Sequence, residues 1–308
     1  MKPTFNIQHS TSNTECSVRQ THSLLGVECS MFDVSRSVTR HAFTLIELLV
    51  VISIMGLLAA LAVPAIKNLG KSSIQTSASR QLLDDIGRAR QLAISQHTTV
   101  YMVFVRTNFW MAPSFMNLWW SKMTTAQRSV ATNLCDKQLT GYTFVSLRSA
   151  GDQPGQGLPR YLAPWQGLPE GTFIAQQKFL LNASSVYYIP NYNPTVPIYG
   201  FNTTNNIPFP TADTPVSQIM YLPYIAFNYM GQLTFDGQTL AWRDEYVPLA
   251  QGTVSPAIDA VTKIPVISAA SPPSVTETPP GNSTNSMYRL VHIDRLTGRA
   301  TLEYQRVQ

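Results

Sequence analysis

The sequence predicts an α+β chain, with a long N-terminal helix packed on a head built from antiparallel β-sheet. Three observations predict it. Phe43 to Val63 is an apolar run whose one charge is Glu47. Ile74, Ala78, Leu82, Ile86, Ala89 and Ala93 then recur at helical spacing and form an apolar stripe. After His97 the pattern changes to short runs of β-branched and aromatic residues, broken by Gly, Pro and Asn.

The apolar run comes first. At about 1.5 Å of rise per residue it is long enough to cross a hydrocarbon core of roughly 30 Å. A charge within such a helix costs about 3 kcal/mol on insertion scales. The thirteen Leu, Ile, Phe and Val residues from Phe43 to Val63 each return about 0.3–0.6 kcal/mol, so insertion still wins. A plain anchor has no use for the carboxylate, and an intramembrane charge points to function.

The residues around it carry a resemblance. Ala42-Phe43-Thr44-Leu45-Ile46-Glu47-Leu48 resembles the cleavage and methylation site of type IV pilins and type II secretion pseudopilins. The resemblance implies that a prepilin peptidase cuts between Ala42 and Phe43 and methylates the new amine of Phe43. It makes Glu47 the family's glutamate, fifth in the mature chain, an assembly contact that accepts the Phe43 amine of a neighbouring subunit. Pro64 matches the proline that commonly follows the hydrophobic segment. Ala42 stands where Gly is usual, a departure that implies slower cleavage.

The implied organisation is a cleaved leader over 1–42, a transmembrane helix carrying the methylation motif over 43–66, and an amphipathic helix over 67–97. A β-rich periplasmic head follows over 98–308, with an aromatic, Pro/Asn-rich insertion at about 107–220. Residues 1–42 are polar and rich in Ser and Thr, without an apolar core, and stay outside fold reasoning. Met31 is an alternative start that shortens the leader to Met31–Ala42. Arg36 and Arg40 precede the apolar run and Lys67 and Lys71 follow it, so flanking charge does not set orientation. The resemblance puts the leader in the cytoplasm and the head in the periplasm, on a single-pass inner-membrane protein.

Composition excludes two classes. With 44% hydrophobic and 13% charged residues, the chain is not a disordered polar one. Its formal charge of +5 is spread without a run of five like charges, so no nucleic-acid partner is predicted. Cys16 and Cys29 lie in the leader. Cys135 is the one cysteine left after cleavage, expected as a small buried apolar residue.

Further elements follow in order. The amphipathic helix runs to Gln96, with Leu83, Leu92 and Ile94 widening its stripe and Asp84, Asp85, Arg88, Arg90 and Gln91 on its solvated face; a kink or pause is expected near Gly70. His97–Thr99 ends it, and Thr99–Val105 reads as the first strand. Asn108–Trp120 is dense in Trp and Phe, read as cover for the sheet or, alternatively, as a binding patch. Gly151–Gly171 and Pro190–Pro215 read as loops, with one or two strands over Thr172–Tyr188 between them. Tyr224–Gly231 begins with a strand and Gly231 supplies a positive φ. Asp236-Gly237 is a hairpin signal with Gln238–Trp242 returning. Val254–Ser286 reads as a mobile linker. Tyr288–Ile293, a turn at Asp294–Gly298 and Arg299–Val307 close the sheet. The Ala89-Arg90 pair with Ala93-Ile94, the Phe227-x-x-x-Gly231 element and Thr297-Gly298-Arg299 are similar to features of H-type minor pseudopilins.

No enzyme constellation is evident. His97 and His292 are far apart and read as surface or turn residues, Gly155-Gln156-Gly157 lacks a phosphate-loop context, and no Ser sits in a nucleophile elbow. No cofactor or metal is expected. The expected function is therefore structural, that of a minor pseudopilin in a type II secretion pseudopilus. Its partners would be the prepilin peptidase, other pseudopilins or pilins in a filament, the inner-membrane assembly platform and membrane lipid. The alternatives are a minor type IV pilin, used in adhesion, motility or DNA uptake, and a membrane-anchored surface-binding module.

Overall fold

The computed structural model describes residues 43–111, 115–149, 151–153, 157–180, 186–188, 196–213, 219–267, 272–283 and 289–304. The expected leader, 1–42, lies outside them, and within the first helix the side chains of 61–73 are also outside the description. The chain divides into two units, Met1–Gly56 and Leu57–Gln308.

The architecture is α+β. α1 (Leu45–Gln96) is one continuous helical element, so the pause expected near Gly70 does not interrupt it. It ends at His97, whose φ of 49° is left-handed. The N–H groups of His97 and Thr98 turn back to the carbonyls of Ile94 and Ala93. β1 (Val100–Phe104) follows at once. Then come α2 (Thr125–Asn133), β2 (Gly141–Ser146), β3 (Arg160–Tyr161), β4 (Gln166–Gly167), β5 (Thr172–Ile174), α3 (Gln177–Leu180), β6 (Val186–Tyr188), β7 (Pro197–Tyr199), β8 (Asn206–Pro208) and β9 (Ile219–Tyr221). β10 (Tyr224–Phe227), β11 (Leu233–Thr234), β12 (Glu245–Ser255), β13 (Ser274–Glu277), β14 (Arg289–Ile293) and β15 (Ala300–Tyr304) complete the described elements.

Two antiparallel sheets carry the head. The first has the order β11-β10-β1-β2-β3, with β4 also on β2; the second has the order β13-β12-β14-β15, with β5 also on β12. The stripe read from the sequence is buried against both from Ala78 onward, while its first member, Ile74, is exposed. Ala78, Leu82, Ile86, Ala89 and Ala93 are fully buried beside Met102, Phe104, Phe144 and Phe227 of one sheet and Val247, Leu249, Val291 and Ile293 of the other.

Every residue of β1 and of β2 is buried, so neither face of these two strands is solvated. A second core explains this. Val103, Val145, Tyr224 and Ala226 point away from α1 and pack with Phe109, Trp110, Phe115, Leu134, Cys135, Ile207 and Phe209. Phe109 contacts Trp110, Phe115 and Phe209 edge-on, at centroid separations of 5.1, 5.9 and 5.3 Å. Described residues from Phe109 to Cys135, with Ile207 and Phe209, thus cover the outer face of the sheet, and their aromatic content is what covering a sheet requires; the stretch 107–220 expected as an insertion also contains β2, β3 and β4, strands of the sheet itself. Cys135 is among these residues as a small buried thiol, and burial, with a smaller contribution from Asp136, pushes it up to about 12.

Several sequence readings need correction. Asp85 is buried, although Asp84 beside it is exposed. Tyr142 donates its hydroxyl to the Asp85 carboxylate, and Gln81 Nε2 donates to the same hydroxyl at 2.8 Å and to the Gly167 carbonyl at 3.0 Å. Burial, reinforced by Asp85, raises the Tyr142 phenol far above its ordinary range. Tyr142→Phe removes the donor to a buried carboxylate, which costs about 1–3 kcal/mol. A matching fall in the urea midpoint of the detergent-solubilised chain is the expected result.

Gln238–Trp242 is not a strand; it makes one bridge, Thr234 with Leu240. Asp236 takes the N–H groups of Gln238 and Thr239 on its side chain, which replaces the hairpin ladder by a side-chain-held turn. Pro190–Pro215 contains β7 and β8, and Val254–Ser286 contains β13 and a turn in which Asp259 accepts from Val261 and Thr262. The eleven-residue β12, central to the second sheet, has no local strand signature because Pro248 interrupts it. Pro248 still contributes its carbonyl, accepting from Ala175 N at 2.9 Å.

Candidate processing and assembly site

The first turn of α1 begins with a reciprocal cap. Thr44 Oγ1 accepts the N–H of Glu47, and Glu47 Oε2 accepts both the N–H and the hydroxyl of Thr44, each at 3.2 Å. Leu48 N then donates to Thr44 O at 3.2 Å, the first bond of the helical ladder. This is a capping box, and a carboxylate in the first turn also meets the positive end of the helix dipole. The sequence signal was present as Thr-x-x-Glu before an apolar run. Glu47 thus has a local role that an intramembrane charge alone does not reveal.

The side chains that follow find little cover in their own unit. Phe43 is 79% exposed and Leu45 82%, and the large apolar residues between Ile46 and Leu58 are exposed as well. An exposed apolar surface of this extent needs lipid or another protein chain. Among the described residues no helix is long and apolar enough to cross a membrane. The expected span, 43–66, includes residues 61–66, whose side chains lie outside the description. Ala42, on the leader side of the expected cut, lies outside the described residues as well.

A second locus ties α1 to the head. Arg90 Nε donates to the Thr297 carbonyl at 2.7 Å, across 207 positions of sequence. Gly231 has a φ of +79°, as expected of a turn glycine, and a Cβ there would sit 2.7 Å from Ile94 Cδ1 and 3.1 Å from Arg90 Nε. Gly298, with a φ of +62°, approaches closer still: its Cβ would lie 2.0 Å from the Gly231 carbonyl oxygen. Both turns are held from within. Asn228 Oδ1 accepts from Met230 N and Gln232 N at 3.0 Å. Asp294 Oδ1 accepts from the N–H and the hydroxyl of Thr297 at 2.7 Å, and these bonds hold its carboxyl below the usual range. The Ala89-Arg90 helix segment, the Phe227-x-x-x-Gly231 element and the Thr297-Gly298-Arg299 turn, remote in sequence, therefore meet at one place.

The remaining residues singled out from the sequence fall as follows. Phe109, Trp110 and Phe115 are buried in the outer core, and Trp119 and Trp120 pack half-buried against it. His97 is exposed at the turn after α1. His292 is not a turn residue. It lies half-buried on β14, stacked on Tyr246 at 4.5 Å, with Asp244 3.0 Å from Nε2 and Glu303 2.9 Å from Nδ1. Among the described residues no group of three or more His, Cys, Asp and Glu is placed to hold a metal ion. Sequence reasoning also missed the buried pair of Lys178 with Glu245, in which Lys178 Nζ donates to the Tyr199 carbonyl at 2.7 Å as well.

The family profile for the prokaryotic N-terminal methylation motif matches residues 39–63, which contain the Ala42–Phe43 junction and the Thr44–Glu47 cap. No curated protein and no solved structure matches the chain.

Proposed function

We propose that the chain is a pilin-like structural subunit, cut between Ala42 and Phe43 by a prepilin peptidase and N-methylated at Phe43. The observation that carries this reading is the methylation motif over residues 39–63. In this reading residues 43–66 anchor the protein in the inner membrane as a single span, and the head stands in the periplasm. The exposed apolar side chains from Phe43 to Leu58 then contact lipid before assembly and neighbouring subunits after it. Glu47 accepts the amine of Phe43 from an adjacent subunit in a site that excludes water.

The finer reading is a minor pseudopilin of a type II secretion system, assembled with other pseudopilins on an inner-membrane platform. The meeting of Arg90, Gly231 and Gly298 supports it, because those residues belong to the elements that resemble H-type subunits. The role is one of assembly, without turnover of a substrate.

Mass spectrometry of the N-terminus of membrane-extracted protein tests the reading. The expected species begins with N-methylated Phe43. A chain that keeps residues 1–42 in a host with active prepilin peptidase overturns it.

A further inference from the structure

Where α1 ends and β1 begins, a groove of about 520 Å³ runs beside the β2–β3 connection and the turn after β11. Its size is within the range of small-molecule sites, about 300–1,000 Å³. The Trp-rich stretch, whose alternative reading in the sequence is a binding patch, packs on the outer core through Phe109, Trp110, Phe115, Trp119 and Trp120. The groove is lined by other residues, and its polar groups are fixed by the chain itself.

Asp152 Oδ2 accepts from Ser149 N at 2.8 Å and from Leu158 N at 3.0 Å. A carboxylate has about four acceptor positions, so capacity remains. Asp236 Oδ1 accepts from Thr239 N at 2.7 Å, Gln238 N at 2.9 Å and Thr234 Oγ1 at 3.1 Å, and Thr239 Oγ1 donates to Oδ2 at 2.8 Å, so its acceptor positions are taken within the chain and it shapes the wall of the groove. The desolvation of Asp236 opposes its ionisation, but these donors outweigh it and bring its carboxyl down to about 2. Both anions are thus oriented before any ligand arrives. Beside them stand Arg148 and Gln238, both exposed, as donors. Tyr229 adds an aromatic ring that is 56% exposed.

The carboxylates of Asp152 and Asp236 share the groove with the Arg148 guanidinium, so it carries both signs of charge. The end of α1 is not a bare cation site, since the Ala93 and Ile94 carbonyls already accept from Thr98 and His97. A flat aromatic surface next to fixed acceptors and donors suits a ligand with an apolar face and a rim of hydroxyls. Hydroxyls taken from water need such partners, and each unmet one is costly. We propose that this groove binds an uncharged oligosaccharide, with a sugar ring on Tyr229 and its hydroxyls held by Asp152, Gln238 and Arg148.

The test uses the full chain in a detergent without a sugar headgroup, titrated calorimetrically with lactose, cellotriose, chitotriose and mannotriose, and with sialyllactose as the charged comparison. At least one neutral sugar is expected to bind. Its affinity should fall about tenfold or more in Tyr229→Ala and in Gln238→Ala, as loss of a buried packing or hydrogen-bond partner requires. Tyr221→Ala, at another tyrosine that is 59% exposed, should bind as the parent does. Binding of none of the neutral sugars, binding of sialyllactose alone, or unchanged affinity in both groove variants overturns the proposal. Circular dichroism of each variant checks that its fold is kept.

Discussion

Glu47→Ala protein is expected to insert into the membrane and to be cut before Phe43, yet to be missing from assembled filaments. Removing a charge from an apolar helix favours insertion by about 3 kcal/mol on insertion scales. Losing the cap of Thr44 and Glu47 weakens the start of α1 by about 0.5–2 kcal/mol, too little to expel the segment. Assembly is different, because in the proposed filament it buries the amine of Phe43 away from water. A buried charge deprived of its partner costs about 3–5 kcal/mol, or roughly two to four orders of magnitude in incorporation. Glu47→Gln separates the two roles: its amide oxygen can still accept from Thr44 N, but it cannot neutralise an amine. Quantifying subunits in sheared filaments decides the matter. Both variants should be depleted; a Gln variant that incorporates like the parent leaves Glu47 as a cap alone, and unchanged incorporation of the Ala variant removes the assembly role.

Gly298→Ala is expected to lower the stability of the head by about 3 kcal/mol or more. A left-handed φ of +62° costs a non-glycine residue about 1–2 kcal/mol. The added methyl would also stand 2.0 Å from the Gly231 carbonyl oxygen. That neighbour is backbone in a turn held by Asn228, so relief requires moving the turn, at the cost of about 1–3 kcal/mol typical of overpacking. Gly87→Ala is the control. Gly87 is exposed on α1, and a Cβ there meets nothing within 4 Å, so the change should be neutral or stabilising by up to about 1 kcal/mol. Urea unfolding of both variants reads the difference. An unchanged midpoint for Gly298→Ala contradicts the close approach.

The parts of this fold legible in the sequence are those with short-range periodicity. The stripe from Ala78 to Ala93 repeats every three or four residues, and each member is buried. β1, β10 and the β14–β15 hairpin announce themselves by β-branched and aromatic runs ended by turn residues. The remainder depends on partners that no local pattern displays. Asp85 looks like its exposed neighbour Asp84 until Tyr142, 57 positions away, is placed beside it. β12 is hidden by Pro248 and recognisable only through its pairing with β5, β13 and β14. The aromatic stretch from Phe109 to Trp120 has no period because it covers an outer sheet face through short irregular pieces. At the candidate site the methylation motif is legible in residues 39–63, whereas the reciprocal bonds of Thr44 and Glu47 appear only when the first turn is formed.

The bond from Arg90 to Thr297 has a consequence for the order in which the molecule is completed. It closes a contact across 207 positions, and β14 and β15, which cover α1 with Val291 and Ile293, are among the last described residues of the chain. A chain still being synthesised therefore holds a helix whose stripe lacks the cover of Val291 and Ile293. Contacts of such long range form late and slowly. The C-terminal hairpin thus acts as a closing signature on the molecule: α1 acquires its full set of neighbours only when almost the entire head has arrived and folded.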